Sequence, residues 1–294
     1  MRKLFANKKI RYLIIIVLLG IVAVGCNKVT DSTGHTLPEK IITLSTTFGE
    51  MMKNEGWFNG LLVWPIAWMI NYTAPILGIA GGIIFVTVVI NALTFGMTVK
   101  STVSSQKMQI LQPELTKLQE KYKDKKDQAS QMKMANEMNA LYAKHGISPF
   151  GSILVLFLQL PIIIAMYQAV QRAEAVVNAK FMGVELTNSP MWGLGNKAYV
   201  LPIIFILMVA AQFVSMKLPQ YYAKKRQLKT QKGKKTDAPT QNSQGMMMYG
   251  MIVMISLLAI NMPTAMSLYW MVNSIVNVAK TSFIQWRYID NEKV

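Results

Sequence analysis

The feature that most constrains this chain is the length of its uncharged stretches. Residues 57–99 and 238–279 contain no Asp, Glu, Lys or Arg, and the same holds for residues 148–170 and 198–216. An apolar helix of about 20 residues crosses the hydrocarbon core of a bilayer. Because backbone groups in lipid must pair within their own segment, these stretches predict membrane-spanning helices. The expected fold class is an all-α polytopic membrane protein.

The composition agrees with this interpretation and excludes several other classes of protein. The residues AVILMFWYC make up 52% of the chain and charged residues only 15%, whereas soluble domains carry about 25% charge. A disordered chain would be less apolar, and a disulfide-stapled one would need more than the single cysteine present. The formal net charge of +17 is absent from the apolar stretches. It must therefore lie in the loops and at the termini.

The first 25 residues have the pattern of a secretory signal peptide. A basic start with Arg2 and Lys3 precedes an apolar stretch over residues 13–22, and small residues stand directly before Cys26. This pattern is similar to a bacterial lipobox, in which the cysteine is lipidated and becomes the new N terminus after cleavage. The alternative is an inert Cys26 in an uncleaved first span. We expect lipidation, because Cys26 is the only cysteine and directly follows a glycine at the end of the apolar run.

The distribution of lysine and arginine orients the spans. Residues 100–145 contain nine lysines and residues 217–235 contain eight basic residues, so both segments are expected in the cytosol. From an external Cys26, the chain must cross the membrane an odd number of times before residue 100. Residues 57–71 are therefore expected to lie in the membrane interface, and residues 74–99 to form the first span.

The predicted architecture has five transmembrane helices, an interfacial helix and a cytosolic two-helix hairpin. Its segments are a lipoprotein signal peptide (1–25), an extracellular N-terminal segment (26–56), the interfacial helix and first span (57–99), the cytosolic helical hairpin (100–147), the second span (148–172), an extracellular loop (173–197), the third span (198–216), a basic cytosolic loop (217–244), the fourth and fifth spans (245–284) and a cytosolic tail (285–294).

The cytosolic hairpin is predicted from two apolar stripes at helical spacing. They flank a charged turn at residues 123–127, and their members are Met108, Leu111, Leu115, Leu118 and Tyr122, then Met134, Met138, Leu141 and His145. Pro113 is expected near the start of the first helix, where its missing N–H costs little. The stripes either only hold the hairpin together or also form a partner-binding face, and both interpretations remain open.

Motifs for nucleotide binding or covalent catalysis do not occur in the sequence. It contains no GxxxxGK[ST], GxSxG or HExxH motif. His145 has no cysteine or carboxylate cluster beside it and is expected to cap or pack rather than to bind a metal. The sequence therefore predicts no cofactor and no enzymatic activity.

Four segments of the chain resemble the YidC insertase family in its Gram-positive lipoprotein form. They are residues 111–122 (LQPELTKLQEKY), 147–151 (ISPFG), 159–168 (QLPIIIAMYQ) and 263–270 (PTAMSLYW). The resemblance implies an insertase that receives newly made hydrophobic segments in a polar, cytosol-open groove and releases them into the bilayer, alone or with the Sec translocon. The implied partners are nascent membrane proteins, the ribosome, the Sec translocon, the signal recognition particle pathway and membrane lipids.

The resemblance also implies groove residues on three of the spans. They are Thr87 and Asn91 on the first span, Tyr269 and Trp270 on the fifth, and either Gln212 or Ser215 on the third. The last two are alternative counterparts of one glutamine of the family, and the sequence does not decide between them.

Asn91 departs from the family, which usually has an arginine at this position. No Lys or Arg is expected elsewhere inside a predicted span. The groove is therefore predicted to be polar but neutral, which would remove electrostatic capture of acidic client tails. Asn91→Arg is accordingly expected to be tolerated.

Two other classes of function are compatible with a five-span helical protein. One is a small-solute transporter or channel, and the other is an assembly scaffold. Transport usually leaves ionisable residues in the spans or visible inverted repeats. Neither is evident in the sequence, so the insertase is the preferred hypothesis.

Overall fold

The computed structural model describes most of the chain and is mainly helical. The described residues are 29–31, 36–125, 127–147, 151–230 and 243–290, so the predicted signal peptide and Cys26 lie outside them. The helices are α1 (Phe48–Glu55), α2 (Trp64–Lys121), α3 (Gln128–Lys144), α4 (Gly151–Arg172), α5 (Glu174–Val177), α6 (Pro190–Gly195), α7 (Val200–Thr230), α8 (Ser243–Ala259) and α9 (Thr264–Ile284). A 3-10 turn at Pro38–Lys40 precedes α1, and π-helical turns lie at Asn59–Val63 and Gln285–Asp290.

Two helical stretches of the described residues are long and apolar enough to cross a membrane. They are Asn59–Lys121 and Val200–Arg226, and Tyr249–Ala259 is a shorter apolar helix. Together with α4 and α9, they confirm the prediction of a helical protein with membrane-like apolar segments. The number of five spans stays a prediction.

The chain forms two compact units. The first is built from the described residues within Met1–Thr87, Leu158–Phe205 and Ala259–Tyr269. The second is built from those within Val88–Phe157, Ile206–Leu258 and Trp270–Val294. The helices α2, α4, α7 and α9 each contribute residues to both units.

In the first unit, α2 is interrupted at Gly78. Its φ of 74° and ψ of 168° belong to a region that is almost restricted to glycine. After the break, Gly82 lies so close to the preceding segment that a Cβ on it would be 3.2 Å from Thr73 Oγ1 and 3.3 Å from the Ile70 carbonyl oxygen. The two glycines therefore allow one helical segment to pack tightly against the next. The break lies inside the stretch predicted as the first span.

The N-terminal part of the first unit is attached to the segment that follows α4. The Ile42 N–H donates to the Arg172 carbonyl oxygen at 2.6 Å, and the Glu174 N–H donates to the Ile42 carbonyl oxygen at 3.1 Å. Buried Asn71 of α2 joins both sides. Its Nδ2 donates to the Ile42 carbonyl at 2.6 Å, and its Oδ1 accepts from the Ala175 N–H at 2.9 Å.

A buried charge strengthens this attachment. Arg172 is 1% exposed. Its Nε donates to the Lys40 carbonyl oxygen at 2.8 Å, and its Nη2 lies 3.4 Å from Glu55 Oε2. The other oxygen of Glu55 is 2.7 Å from Lys40 Nζ. Because an unpaired buried guanidinium would be strongly destabilising, Glu55 is what makes the burial of Arg172 tolerable.

A small β-hairpin departs from the predicted all-α fold. Strands β1 (Lys180–Phe181) and β2 (Val184–Glu185) pair antiparallel in the loop before α6. Met182 and Gly183 at its tip have φ values of 50° and 87°, as a two-residue type I′ turn requires. Two-residue strands are too short to show the alternating pattern by which strands are predicted from sequence.

In the second unit, the end of α2 and α3 form an antiparallel hairpin. Its core contains Leu111, Leu115 and Ile147, with Met108, Met138, Leu141 and Tyr142 packed against them. The prediction that Pro113 lies near the start of a helix is wrong, because α2 continues without a break from Ile79 through Pro113 to Lys121. A proline inside a helix costs about 3 kcal/mol, and the packed leucines on either side of it offset this cost.

Polar contacts close this hairpin at its turn. Lys121 Nζ lies 2.9 Å from Glu137, and the Tyr122 hydroxyl donates to Glu137 at 2.8 Å. Hydrogen bonds from these two side chains hold the pKa of the Glu137 carboxyl below its usual value. Asp127 caps α3 by accepting from the Ser130 N–H at 2.8 Å, which likewise lowers its pKa.

Candidate functional site

Three polar side chains of the second unit form a connected set between α2 and α9. Asn91 of α2 donates from Nδ2 to Asn273 Oδ1 at 3.1 Å. The Oδ1 of Asn91 accepts from Lys280 Nζ at 3.0 Å. Asn273 and Lys280 are seven residues apart and so lie on one face of α9. We call Asn91, Asn273 and Lys280 the Asn91 cluster.

A second polar contact joins α9 to α7. The Ser274 hydroxyl donates to Gln212 Oε1 at 2.6 Å, and Ser274 is 1% exposed. Successive residues of a helix point about 100° apart, so Asn273 and Ser274 face different neighbours. At positions 273 and 274, α9 therefore presents polar atoms to α2 on one side and to α7 on the other.

Asn273, Ser274 and Lys280 were not predicted as site residues, although the sequence contains a signal for them. Positions 273, 277 and 280 carry Asn, Asn and Lys, and positions 274 and 281 carry Ser and Thr. These spacings of three, four and seven residues draw a polar stripe along an otherwise apolar helix. Beside this stripe, Gln106 Nε2 of α2 donates to the backbone carbonyl oxygen of Thr281 at 3.3 Å.

The six predicted groove residues divide between the two units. Asn91, Gln212, Ser215 and Trp270 belong to the second unit, and Thr87 and Tyr269 belong to the first. Gln212 takes part in the contact with α9, whereas half-buried Ser215 belongs to neither set of hydrogen bonds. Of the two alternatives on α7, the contacts favour Gln212. Trp270 is half-buried and lies one turn before Ser274 on α9.

The two predicted residues of the first unit are buried and hydrogen-bonded. Thr87 Oγ1 donates to the Ile83 carbonyl oxygen of its own helix at 2.7 Å. The Tyr269 hydroxyl accepts from Gln159 Nε2 of α4 at 3.1 Å. Gln159 and Tyr269 belong to two of the four segments quoted for the family resemblance, so this bond connects those segments in space.

Lys280 contradicts the expectation of a neutral site. It directly follows the uncharged stretch that ends at Ala279, but α9 continues to Ile284. Lys280 is therefore inside the helix predicted as the fifth span, and its ammonium lies 3.0 Å from Asn91 Oδ1. The prediction that no Lys or Arg lies within a span is wrong, because a lysine stem is long enough to carry its charge along the helix to a polar partner.

Comparison with known proteins decides the family. A family model described as 60Kd inner membrane protein matches residues 69–292. Membrane protein insertase YidC 2 of Bacillus anthracis is 32% identical over 282 residues, which cover 95% of this chain and 94% of the relative. The chain belongs to the YidC family. Membrane protein insertase MisCA of Bacillus subtilis is 35% identical over 227 residues, with 76% and 77% covered. YidC of Alkalihalophilus pseudofirmus is 30% identical over 285 residues, with 96% of each chain covered.

The match confirms the resemblance to the YidC family seen in the sequence. The matched region begins in α2 and extends past α9, so it contains the Asn91 cluster and the contact between Gln212 and Ser274. Membership of the YidC family and the apolar helices together identify a protein of the cell membrane. Both polar sets therefore lie on helices of a membrane protein.

Proposed function

We propose that this protein inserts hydrophobic segments of newly made proteins into the cell membrane. Relatives that align with nearly the whole chain bear the name of membrane protein insertase. The observation that carries the proposal at residue level is the connected polar set on otherwise apolar helices, formed by Asn91, Asn273 and Lys280. Such groups are expensive in lipid and mark functional sites.

The physical task of an insertase explains why polar groups are useful here. A polar loop or tail that crosses hydrocarbon loses its hydrogen bonds to water, at a cost of several kcal/mol per uncompensated group. A polar recess within the membrane offers replacement partners and shortens the apolar path. We propose that Asn91, Gln212 and Trp270 line this recess and that α2 and α9 support the client helix.

We also propose that Cys26 is lipidated after cleavage of residues 1–25 and that the chain crosses the membrane five times. The basic start, apolar stretch and small residues before Cys26 support the first point. The positions of the lysine-rich segments support the second. In this topology, the hairpin of α2 and α3 lies in the cytosol.

The cytosolic face is proposed to receive clients from the ribosome. Lys123 and Lys125 are exposed at the turn of the hairpin, and Lys224 and Lys225 are exposed near the end of α7. Such lysines attract the phosphates of ribosomal RNA or of anionic lipid headgroups. Cooperation with the Sec translocon and delivery by the signal recognition particle pathway belong to the same proposal.

The test is reconstitution of the purified full-length protein in liposomes. A client with one or two spans is synthesised in vitro in their presence, and its protected fragment is measured after protease treatment. We expect protection above that of protein-free liposomes. Because Lys280 removes the argument that no ionisable residue lies in the spans, solute flux is measured on the same vesicles. Flux without client protection would favour a transporter or channel.

A further inference from the structure

The first unit contains an apolar cavity beside the break in α2. Its walls come from α2, within residues 74–79, and from α5 and the β-hairpin, within residues 175–182, and its volume is about 480 Å³. Sites for small molecules usually have volumes of about 300–1,000 Å³. Neither the polar contacts of α9 nor the ion pair of Arg172 contributes a residue to this cavity. The cavity is therefore separate from the site described above.

Small side chains keep this cavity open. Gly78, Ala175 and Ala179 are among its lining residues, and a Cβ on Gly78 would meet no atom within 4 Å. Phe181 of the β-hairpin adds an apolar wall. Among the described residues that line the cavity, Lys180 is the only charged one. Such a lining favours a hydrocarbon chain over a polar solute, because burial of apolar surface is what it can offer.

The surface next to the cavity has the composition of a membrane interface. Trp64, Trp68 and Tyr72 follow each other at intervals of four residues on α2, and the rings of Trp68 and Tyr72 stack with their centroids 5.3 Å apart. Ile76 continues this row and is 75% exposed. Tryptophan and tyrosine prefer the level of the lipid headgroups, whereas an exposed isoleucine favours acyl chains. The cavity, which Pro75 borders, therefore lies where headgroups and chains meet.

Lys180 brings a positive charge to this cavity. Its side chain is exposed. Glu185 stands opposite Lys180 in the register of the β-hairpin, but no carboxylate of the described residues lies within 4.0 Å of the Lys180 ammonium. The ammonium has three N–H donors, which phosphate oxygens can accept. A phospholipid carries a phosphate and acyl chains in one molecule, so it matches both Lys180 and the apolar walls.

We propose that this cavity binds an acyl chain of an anionic phospholipid whose phosphate is held by Lys180. A zwitterionic phospholipid carries its own cation beside the phosphate, and this cation competes with Lys180, so the anionic headgroup is preferred. The lipid fills the space at the break in α2 and joins this helix to the β-hairpin. In the proposed topology, it belongs to the outer leaflet. The inference goes beyond the proposed insertase function and does not depend on it.

The experiment places the full-length protein in phosphatidylcholine vesicles that contain a trace of one photoactivatable lipid. This lipid is phosphatidylglycerol or phosphatidylcholine with a diazirine in its acyl chain. After illumination and digestion by a protease that does not cut at lysine, label on residues 173–187 is measured by mass spectrometry. We expect about fivefold more label from phosphatidylglycerol than from phosphatidylcholine, as one lysine near a membrane surface can supply.

Two lysine variants test the role of the charge. Lys180→Gln should lower the label from phosphatidylglycerol to the level of phosphatidylcholine. Lys197→Gln is the matched control, because Lys197 is exposed in the same loop but does not line the cavity. It should keep the fivefold preference. Both side chains are exposed, so neither substitution disturbs the packing of the first unit.

A third variant tests the acyl-chain site. Ala179→Phe fills the cavity and should reduce the label on residues 173–187 from both lipids. Label on α8, where Val253 and Leu257 are exposed, should be unchanged and serves as the internal standard. Thermal unfolding shows whether this variant is folded. If it is not, the comparison of Lys180→Gln with Lys197→Gln still decides the proposal.

The converse measurement identifies the occupant. A photoactivatable amino acid in place of Phe181 should form adducts with phospholipid, both in vesicles alone and during synthesis of a client. Adducts with the client or with a second copy of the chain in place of lipid would assign the cavity to that occupant and overturn the proposal. Equal label from the two lipids in the parent protein, or a preference that survives Lys180→Gln, would also overturn it. The vesicles of the labelling experiment contain no client, so failure of client insertion would leave this result unaffected.

Discussion

Glu55→Ala should destabilise the first unit far more than its place on a short helix suggests. Glu55 is 9% exposed and neutralises Arg172, whose side chain is 2% exposed. Its removal leaves the guanidinium buried without a counter-charge, while Lys40, 28% exposed, can turn to water. Breaking a buried ion pair in this way costs about 3–5 kcal/mol. At about 2–4 °C per kcal/mol, the melting temperature should fall by about 6–20 °C.

The assay is thermal unfolding of the purified protein in detergent, followed by tryptophan fluorescence. Trp64 and Trp68 belong to the same unit, and Trp64 Nε1 donates to the Thr46 carbonyl oxygen close to α1 at 2.8 Å. They therefore report on the region that Glu55 holds. Lys53→Ala is the matched control, because Lys53 lies on the same helix and is exposed.

A double variant tests the cause of the loss. Replacing both Glu55 and Arg172 by Met removes the charge together with its partner, so the double variant should be more stable than Glu55→Ala alone. If Glu55→Ala melts within the error of Lys53→Ala, the buried pair does not stabilise this unit. A double variant less stable than Glu55→Ala would equally refute the reasoning.

Three further predictions follow from other parts of the chain. Gly78→Ala should cost about 1–3 kcal/mol because of its positive φ, whereas Gly96→Ala, in an open helical position, should be neutral or stabilising in the same melting assay. Glu137→Gln should destabilise the hairpin at neutral pH. Because hydrogen bonds lower the pKa of Glu137, its contribution is present above the usual value of 4.5 and is lost as the pH falls below it, so parent and variant should converge in melts at acidic pH. Cys26→Ala should abolish labelling by radioactive palmitate and leave a larger precursor in the membrane, and normal labelling of this variant would exclude the lipoprotein proposal.

Local properties of the sequence were sufficient for the fold class and the family. Most of the described residues of the uncharged stretches lie in α2, α4, α7, α8 and α9, because the need to satisfy backbone groups in lipid acts on each segment by itself. The apolar stripes that contain Leu111 and Leu141 could be predicted for a similar reason, since helical periodicity is a property of neighbouring residues. The sequence could not decide between Gln212 and Ser215, because both lie on α7 and differ only in the residues that face them.

The tertiary structure alone decided which polar groups meet. Asn91 and Lys280 are 189 residues apart in the chain, and their contact depends on how α2 and α9 are rotated toward each other. Lys280 lies within the stretch predicted as the fourth and fifth spans, but the sequence does not show that its ammonium has a partner in Asn91. The burial of Arg172 also depends on the tertiary structure, because Glu55 and the Lys40 carbonyl reach it from a distant part of the chain. A buried or half-buried charge is stabilised by its partners, and partners are brought together only by packing.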